Sequence, residues 1–154
     1  MSNDQQSIYK AALMQHFKQP YNKHTGSFPE SFVTARGRNP SCGDDIEVGI
    51  KFVSFEALSI IEEAGFRGRG CSVCLASASM MAKVVEQMDL EKASMLVNTM
   101  GSWIDDTLAE SADLPSELQA LDAVKKHPAR KKCVMLAWHA LNDILKTKLN
   151  LAQQ

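Results

Sequence analysis

Four cysteines are the residues best suited to chemistry: Cys42, Cys71, Cys74 and Cys133. Their intervals are long and unequal, so zinc-finger spacing is absent. Their local settings say more. Cys42 sits in Asn39-Pro40-Ser41-Cys42-Gly43-Asp44-Asp45, a turn ahead of a strand pattern. Cys71 follows Gly70 at the mouth of a helix, and Cys133 lies in the first turns of a helix that Pro128 opens. A thiol near a helix N-terminus feels the positive end of the macrodipole, so these two are expected to have lowered pKa values. None of the four falls within a long apolar run. Three thiolates from a loop and two helix starts can converge on a soft or borderline cation. Asp44, two residues beyond Cys42, can reach the same ion. Three sulfurs and one oxygen make a tetrahedral zinc site, at about 2.0–2.3 Å per bond, with a formal charge of about −2. Arg130, Lys131 and Lys132 stand ready to offset that charge. A carboxylate holds this ion less firmly than a thiolate, so the mixed site opens more easily than a four-cysteine one, and openness suits ligand exchange.

On residue types alone, other readings stay open. A cysteine in a core is commonly a small hydrophobe. A zinc site can be purely structural. Cys71 and Cys74 form a Cys-x-x-Cys pair at a helix start, a redox dithiol pattern, although no thioredoxin-like strand–helix unit precedes it. His16, His24, His127 and His139 include no His-x-x-x-His pair, and His127 is the one nearest Cys133. Met80, Met81, Met95, Met100 and Met135 fall at helical spacings and read as core filler. Arg67 and Arg69 flank Gly68, either to meet an acidic surface or as a solvated loop.

The elements that must position these residues follow from periodicity. Residues 7–18 put Ile8, Ala12, Leu13 and Phe17 along one helical face, and Pro20 ends the helix. From Gln19 to Asn39, Pro, Asn, Gly and Ser read as an extended loop, with Val33 marking a candidate third strand. Ile46, Val48, Ile50 and Phe52 alternate with Glu47, Gly49 and Lys51, the pattern of a half-buried strand. Leu58 to Phe66 reads as a second strand, antiparallel across a turn near Phe55. Three glycines in Gly65-Phe66-Arg67-Gly68-Arg69-Gly70 predict a tight, mobile turn. A helix bearing Leu75, Ala78, Ala82 and Val85 comes next. Asp89 caps another, with Ala93, Val97, Met100 and Ile104 at helical spacing. Ser116 and Gln119 have capping-box spacing ahead of Leu118, Leu121 and Val124. Val134, Trp138 or Ala137, Leu141, Leu145 and Leu149 line the helix after Pro128. Strands early and helices late predict an α+β domain.

The composition is consistent with one globular domain over residues 1–154. The chain has 17 Lys+Arg against 18 Asp+Glu, a net charge of −1, which argues against a general nucleic-acid or membrane-surface binder. The apolar fraction of 45% is ordinary, yet no apolar run approaches the roughly 18–20 residues that span a bilayer. The polar start lacks the basic and apolar parts of a secretory signal. A cytoplasmic location is expected, where thiols stay reduced.

Four stretches resemble one known family. They are Asn39-Pro40-Ser41-Cys42-Gly43-Asp44, Phe66-Arg67-Gly68-Arg69-Gly70-Cys71-Ser72, Ala76-Ser77-Ala78-Ser79-Met80-Met81 and His127-Pro128-Ala129-Arg130-Lys131-Lys132-Cys133. Together with the stretch from Tyr9 to Lys23, they resemble the SufU, IscU and NifU N-terminal family of iron–sulfur cluster assembly proteins, over nearly the whole chain. Lys132 stands where the IscU branch usually has histidine. Pro128-Ala129-Arg130-x-Lys132-Cys133 has the SufU form. The long span around Gly101 to Leu121 looks like the SufU insertion. The resemblance implies a small antiparallel sheet of about three strands, helices on one face, and a metal site at an exposed end. It implies zinc on Cys42, Asp44, Cys71 and Cys133, with Cys42 accepting persulfide sulfur from a pyridoxal-phosphate cysteine desulfurase of the SufS type. Downstream iron–sulfur assembly proteins would receive the sulfur. In this account a desulfurase histidine replaces Cys42 on the metal, while Cys71 and Cys133 anchor it. Whether such a sulfur acceptor and desulfurase activator counts as an enzyme is left open. IscU-like relatives use the same constellation as a scaffold for a [2Fe–2S] cluster, which is the alternative. Arg130 would steer the anionic persulfide or pair with Asp44, supported by Lys132. Cys74 departs from the family, which usually has serine or another small residue there. It reads as a packed thiol just behind the ligands or as a spare ligand.

Overall fold

The computed structural model describes residues 3–106 and 114–152. The middle of the Gly101 to Leu121 span, at 107–113, lies outside the described residues. Three strands form one antiparallel sheet in the order β1 (Val33–Asn39), β2 (Asp44–Phe55), β3 (Leu58–Arg69). Helix α1 (Asn3–Lys18) precedes it, and α2 (Ser72–Val85), α3 (Leu90–Ile104), a 3₁₀ helix (Leu118–Val124) and α4 (Pro128–Ala152) follow. Helices α2 and α4 pack on one face of the sheet, α1 packs on α2, and α3 packs on α4. This is the expected α+β architecture. No helix of the described residues is long and apolar enough to cross a membrane.

Strand β2 sets the orientation of the site. Its alternation buries Ile46, Val48 and Ile50 completely against the helices. The same period carries Asp44 to the core side at the strand's start, where it is 2% exposed. Phe55 and Leu58 close the β2–β3 hairpin, with Glu56 and Ala57 both at positive φ (48° and 68°). That is the backbone sense of a two-residue hairpin turn that matches strand twist. The candidate third strand marked by Val33 is β1, which takes up residues 33–39 at the end of the stretch that reads as extended loop. Its half-buried positions Val33, Ala35, Gly37 and Asn39 alternate with exposed Thr34, Arg36 and Arg38. An edge strand needs only one modestly apolar face, and a run with a single large apolar residue gives little periodic signal.

The glycine-rich stretch is not a mobile turn. Gly65 to Arg69 continues β3, with Gly65 opposite Gly49 and Gly68 opposite Ile46. Arg67 lies beside Glu47 on the outer face, with Nε and Oε1 at 2.7 Å. Gly68 has φ +122°, and a Cβ there would overlap the Asp45 carbonyl oxygen. Glycine is needed for close strand approach here rather than for motion. Gly68→Ala should therefore cost at least about 2 kcal/mol from backbone strain alone. Urea unfolding measures this, and an unchanged midpoint would contradict the strained backbone.

Helix α1 is rotated by about one residue from expectation. Its inward positions are Tyr9, Ala12, Leu13 and His16, whereas Ile8 and Phe17 are exposed. The cause is polar pairing. His16 Nδ1 lies 2.7 Å from Ser79 Oγ and Nε2 lies 2.6 Å from Glu117 Oε1, so a histidine is satisfied where an apolar residue would be looked for. The predicted capping box is also absent. The Gln119 side chain donates to the Leu114 carbonyl (3.2 Å), and Leu118–Val124 forms a 3₁₀ helix capped by no side chain. Asp89 does cap α3, its Oδ1 accepting from the Lys92 amide at 2.8 Å. Met80, Met81, Met100 and Met135 are buried as expected, but Met95 is 61% exposed.

Candidate metal centre

The site lies at the end of the sheet where β2 starts, β3 finishes, and α2 and α4 begin. Asn39 and Asp44 pair across the β1–β2 connection. Within it, the Cys42 amide donates to the Asn39 carbonyl (3.1 Å) and Gly43 takes φ +72°. This tight turn leaves Cys42 exposed. Cys71 is the N-cap of α2 and is half-buried. Cys133 stands on the inward stripe of α4, beside Val134, Ala137 and Trp138, and is 3% exposed. That stripe is held deeper in the core by Ser77, whose hydroxyl donates to the Val134 carbonyl (2.7 Å) and accepts from Trp138 Nε1 (3.1 Å).

One donor atom from each of Cys42, Asp44 and Cys133 lies within 4.8 Å of the other two. Three of the four expected ligands, remote along the chain, thus meet. Cys71 borders the group without joining it at that mutual distance. Its amide donates to Asp44 Oδ1 at 2.9 Å, while its sulfur accepts from the Cys74 amide at 3.4 Å. Sulfur is a weak acceptor, so turning Cys71 toward the group gives up little. Asp44 Oδ2 is buried and has no hydrogen-bond partner among the described residues. A buried carboxylate oxygen without a partner carries a large desolvation cost. A cation held between it and the Cys42 and Cys133 thiolates would remove that cost, and sulfur donors beside a carboxylate oxygen suit a zinc-type ion.

The electrostatics reverse one expectation. Burial pushes the Cys133 thiol up, and the adjacent Asp44 carboxylate and Cys71 thiol add to the shift. The α4 dipole is outweighed because Cys133 faces a carboxylate in a dry pocket. Cys74, fully buried on α2, is raised to about 12, by burial first and then by Asp44, Cys71 and Cys42. A bound cation inverts this balance and favours the thiolates. Without metal, the raised folded-state value of Cys74 sets the sign of a pH effect. Its stabilising contribution is complete below the unfolded thiol value near 9 and is lost as pH rises through about 12. The urea midpoint of metal-free protein should therefore fall between about pH 8 and about pH 10.5, and less steeply in Cys74→Ser. Equal slopes in the two proteins would remove Cys74 as a cause.

The remaining candidates are placed as follows. Arg130 and Lys132 are exposed at the start of α4, and among the described residues neither pairs with Asp44. Lys131 lies 3.6 Å from Asp106. None of the four histidines joins the group among the described residues. His24 stacks on Phe28, with ring centroids 4.4 Å apart, and His127 and His139 are exposed. Gly70, whose stretch reads as a turn from sequence, also borders the site. A Cβ on it would sit 2.9 Å from Asp44 Oδ1 and 3.1 Å from Cys74 Sγ. Its place directly before a helix-capping cysteine was the available signal.

Comparison with known proteins places this geometry. The model of the NifU-like N terminal domain matches residues 8–147. The zinc-dependent sulfurtransferase SufU of Bacillus subtilis (strain 168) is 39% identical over 140 residues, covering 88% of this chain and 87% of that protein. The iron–sulfur cluster assembly scaffold protein IscU of Streptococcus pyogenes serotype M1 is 32% identical over 143 residues, covering 93% and 86%. The crystal structure of a nitrogen-fixing NifU-like protein (N-terminal) from Brucella abortus superposes with a TM-score of 0.74 over 93% of this chain and 95% of that one. At 15% identity this last likeness concerns the fold alone.

Proposed function

The chain belongs to the NifU-like N-terminal domain family, and from that premise we propose that it is an iron–sulfur cluster assembly protein of the SufU kind. It accepts persulfide sulfur from a cysteine desulfurase and passes it on to cluster assembly. Residues 1–154 act as a single domain in the cytoplasm. The partner is a pyridoxal-phosphate desulfurase of the SufS type, and downstream assembly proteins take the sulfur. The observation that carries this reading is the meeting of Cys42, Asp44 and Cys133 around a buried, unpartnered carboxylate oxygen. The similarity to a zinc-dependent sulfurtransferase adds to it.

Each residue has a proposed part. Cys42, Asp44, Cys71 and Cys133 hold zinc. When bound, the ion keeps its thiol ligands deprotonated and ties the site together. Cys42 is the acceptor, since it is the exposed member on a short turn and can leave with least disturbance. Its sulfur attacks the terminal sulfur of the donor persulfide. A bond forms to Cys42, the donor's sulfur–sulfur bond breaks, and the donor cysteine departs as thiolate. Cys71 and Cys133 are anchors because each is fixed to a helix start. Arg130, exposed three residues before Cys133, steers the anionic persulfide, and Lys132 supports it by charge.

Protein prepared without oxygen should carry about one zinc per chain and should raise the turnover of a cysteine desulfurase. The IscU-like scaffold is the second reading, favoured by the presence of a fourth cysteine beside the group. A stable [2Fe–2S] chromophore gained as zinc is lost would select it. A rise in turnover with no persulfide on this chain would instead indicate an interaction domain whose zinc only holds the fold.

A further inference from the structure

We infer that Cys74 is a reserve ligand of the metal centre, taking the metal when Cys42 leaves it. The inference rests on the resting ligand set proposed above and goes beyond it, because that set has no place for a fourth thiol.

Three observations carry it. First, Cys74 is fully buried, but its surroundings are not wholly apolar. The vacant Cβ position on Gly70 is 2.9 Å from Asp44 Oδ1 and 3.1 Å from Cys74 Sγ. The side chain missing from Gly70 is thus the gap across which the Cys74 sulfur faces the ligand carboxylate. Any other residue at 70 would wedge the two apart. Second, Cys74 and Cys71 share the first turn of α2, and the Cys74 amide donates to the Cys71 sulfur at 3.4 Å. From that turn the Cys74 sulfur can swing toward the ligand group by side-chain rotation alone. Third, Asp44 is 2% exposed and its Oδ2 has no partner among the described residues, so an unsatisfied donor for a cation is buried near Cys74.

The roles of the two thiols follow from their placement. Cys42 is exposed and mobile in function, whereas Cys74 is enclosed and cannot reach a partner's persulfide. Both offer the same soft donor. In the exchange, the Cys42 sulfur releases the metal and the Cys74 sulfur binds it. The Cys74 proton passes to water, and no electron changes hands. The ligand set stays at three thiolates and one carboxylate throughout. The metal thus keeps a full set of ligands from this chain before any partner group reaches it.

The test uses cobalt(II) in place of zinc, without oxygen and without any desulfurase. Wild type, Cys42→Ala, Cys74→Ser and the double variant are compared by thiolate-to-cobalt charge-transfer absorption and by the rate of metal loss to a chelator. Wild type and Cys74→Ser should show equal three-thiolate intensity. Cys42→Ala should keep that intensity through Cys71, Cys74 and Cys133. The double variant should fall to about two-thirds of it and lose metal at least about tenfold faster than Cys42→Ala. If the double variant fails to fold, the intensity of Cys42→Ala against wild type decides by itself. A two-thirds intensity already in Cys42→Ala, or equal release from it and the double variant, would overturn the inference. Absence of cobalt binding by wild type would overturn the resting ligand set, and this inference with it.

Discussion

Cys42→Ala is expected to abolish sulfur transfer to this chain and to return desulfurase turnover to the level of the desulfurase alone. The loss should be at least about 100-fold, a modest figure for removal of a covalent nucleophile. The physical reason is the division of labour among the thiols. Cys133 is 3% exposed and Cys74 is fully buried, so neither can meet a persulfide presented by another protein. Cys71 is half-buried, with its sulfur turned toward the Cys74 amide. Only Cys42 is exposed, on a short turn in which its amide donates to the Asn39 carbonyl. Because the side chain is at the surface, metal-free stability should change by no more than about 0.5 kcal/mol. A lost activity in a folded protein is therefore the expected signature. Mass spectrometry of the trapped persulfide gives the check. A persulfide found on Cys74, with Cys42→Ala fully active, would sink the assignment of the acceptor.

The second large effect is thermal. Binding to the folded state alone adds about 4 kcal/mol when free metal stands 1,000-fold above Kd. In a chain of this size 1 kcal/mol moves Tm by about 2–4 °C, so chelation should lower Tm by roughly 10 °C. The site is well placed to express this. Its gathered donors come from the β1–β2 turn, the start of β2 and α4, and a cation there would relieve the Asp44 oxygen that has no partner among the described residues. Asp44→Asn keeps an acceptor for the Cys71 amide but removes the charge. The rise in Tm on adding zinc should shrink by at least half in that variant, while Gly68→Ala lowers Tm with and without metal alike. Identical melting of wild type with zinc and with chelator would show that no structural cation is held.

The strands and helices with strong periodicity were legible in advance. Ile46, Val48 and Ile50 mark β2 because one sheet face is buried, and the stripe through Leu141 and Leu145 marks α4 for the matching reason in a helix. Asp89 identified the start of α3 through cap chemistry that is local to three residues. Misreadings arose where tertiary contacts overrode local pattern. Gly65 and Gly68 look like turn residues, yet they stand in β3 because Asn22 and His24 crowd the first and strand β2 crowds the second too closely for a side chain. His16 looks polar, yet it is an inward residue of α1 because Ser79 and Glu117 satisfy both ring nitrogens. Cys133 looks like a low-pKa thiol at a helix start, yet burial and the Asp44 carboxylate drive it upward.

The sequence by itself determined which atoms were available: three sulfurs and a carboxylate in distinctive settings, a fourth sulfur out of pattern, and the α+β order of the elements. Those are properties of residue type and short-range spacing. Only the tertiary structure decided that Cys42, Asp44 and Cys133 share one pocket while Cys71 stands at its edge. It alone decided that Arg130 leaves Asp44 unpaired and that Gly70 opens a gap between Asp44 and Cys74. Distances between residues far apart along the chain are set by how the helices pack on the sheet. Burial, which fixes the cost of a lone carboxylate oxygen and the protonation of each thiol, exists only once that packing is complete.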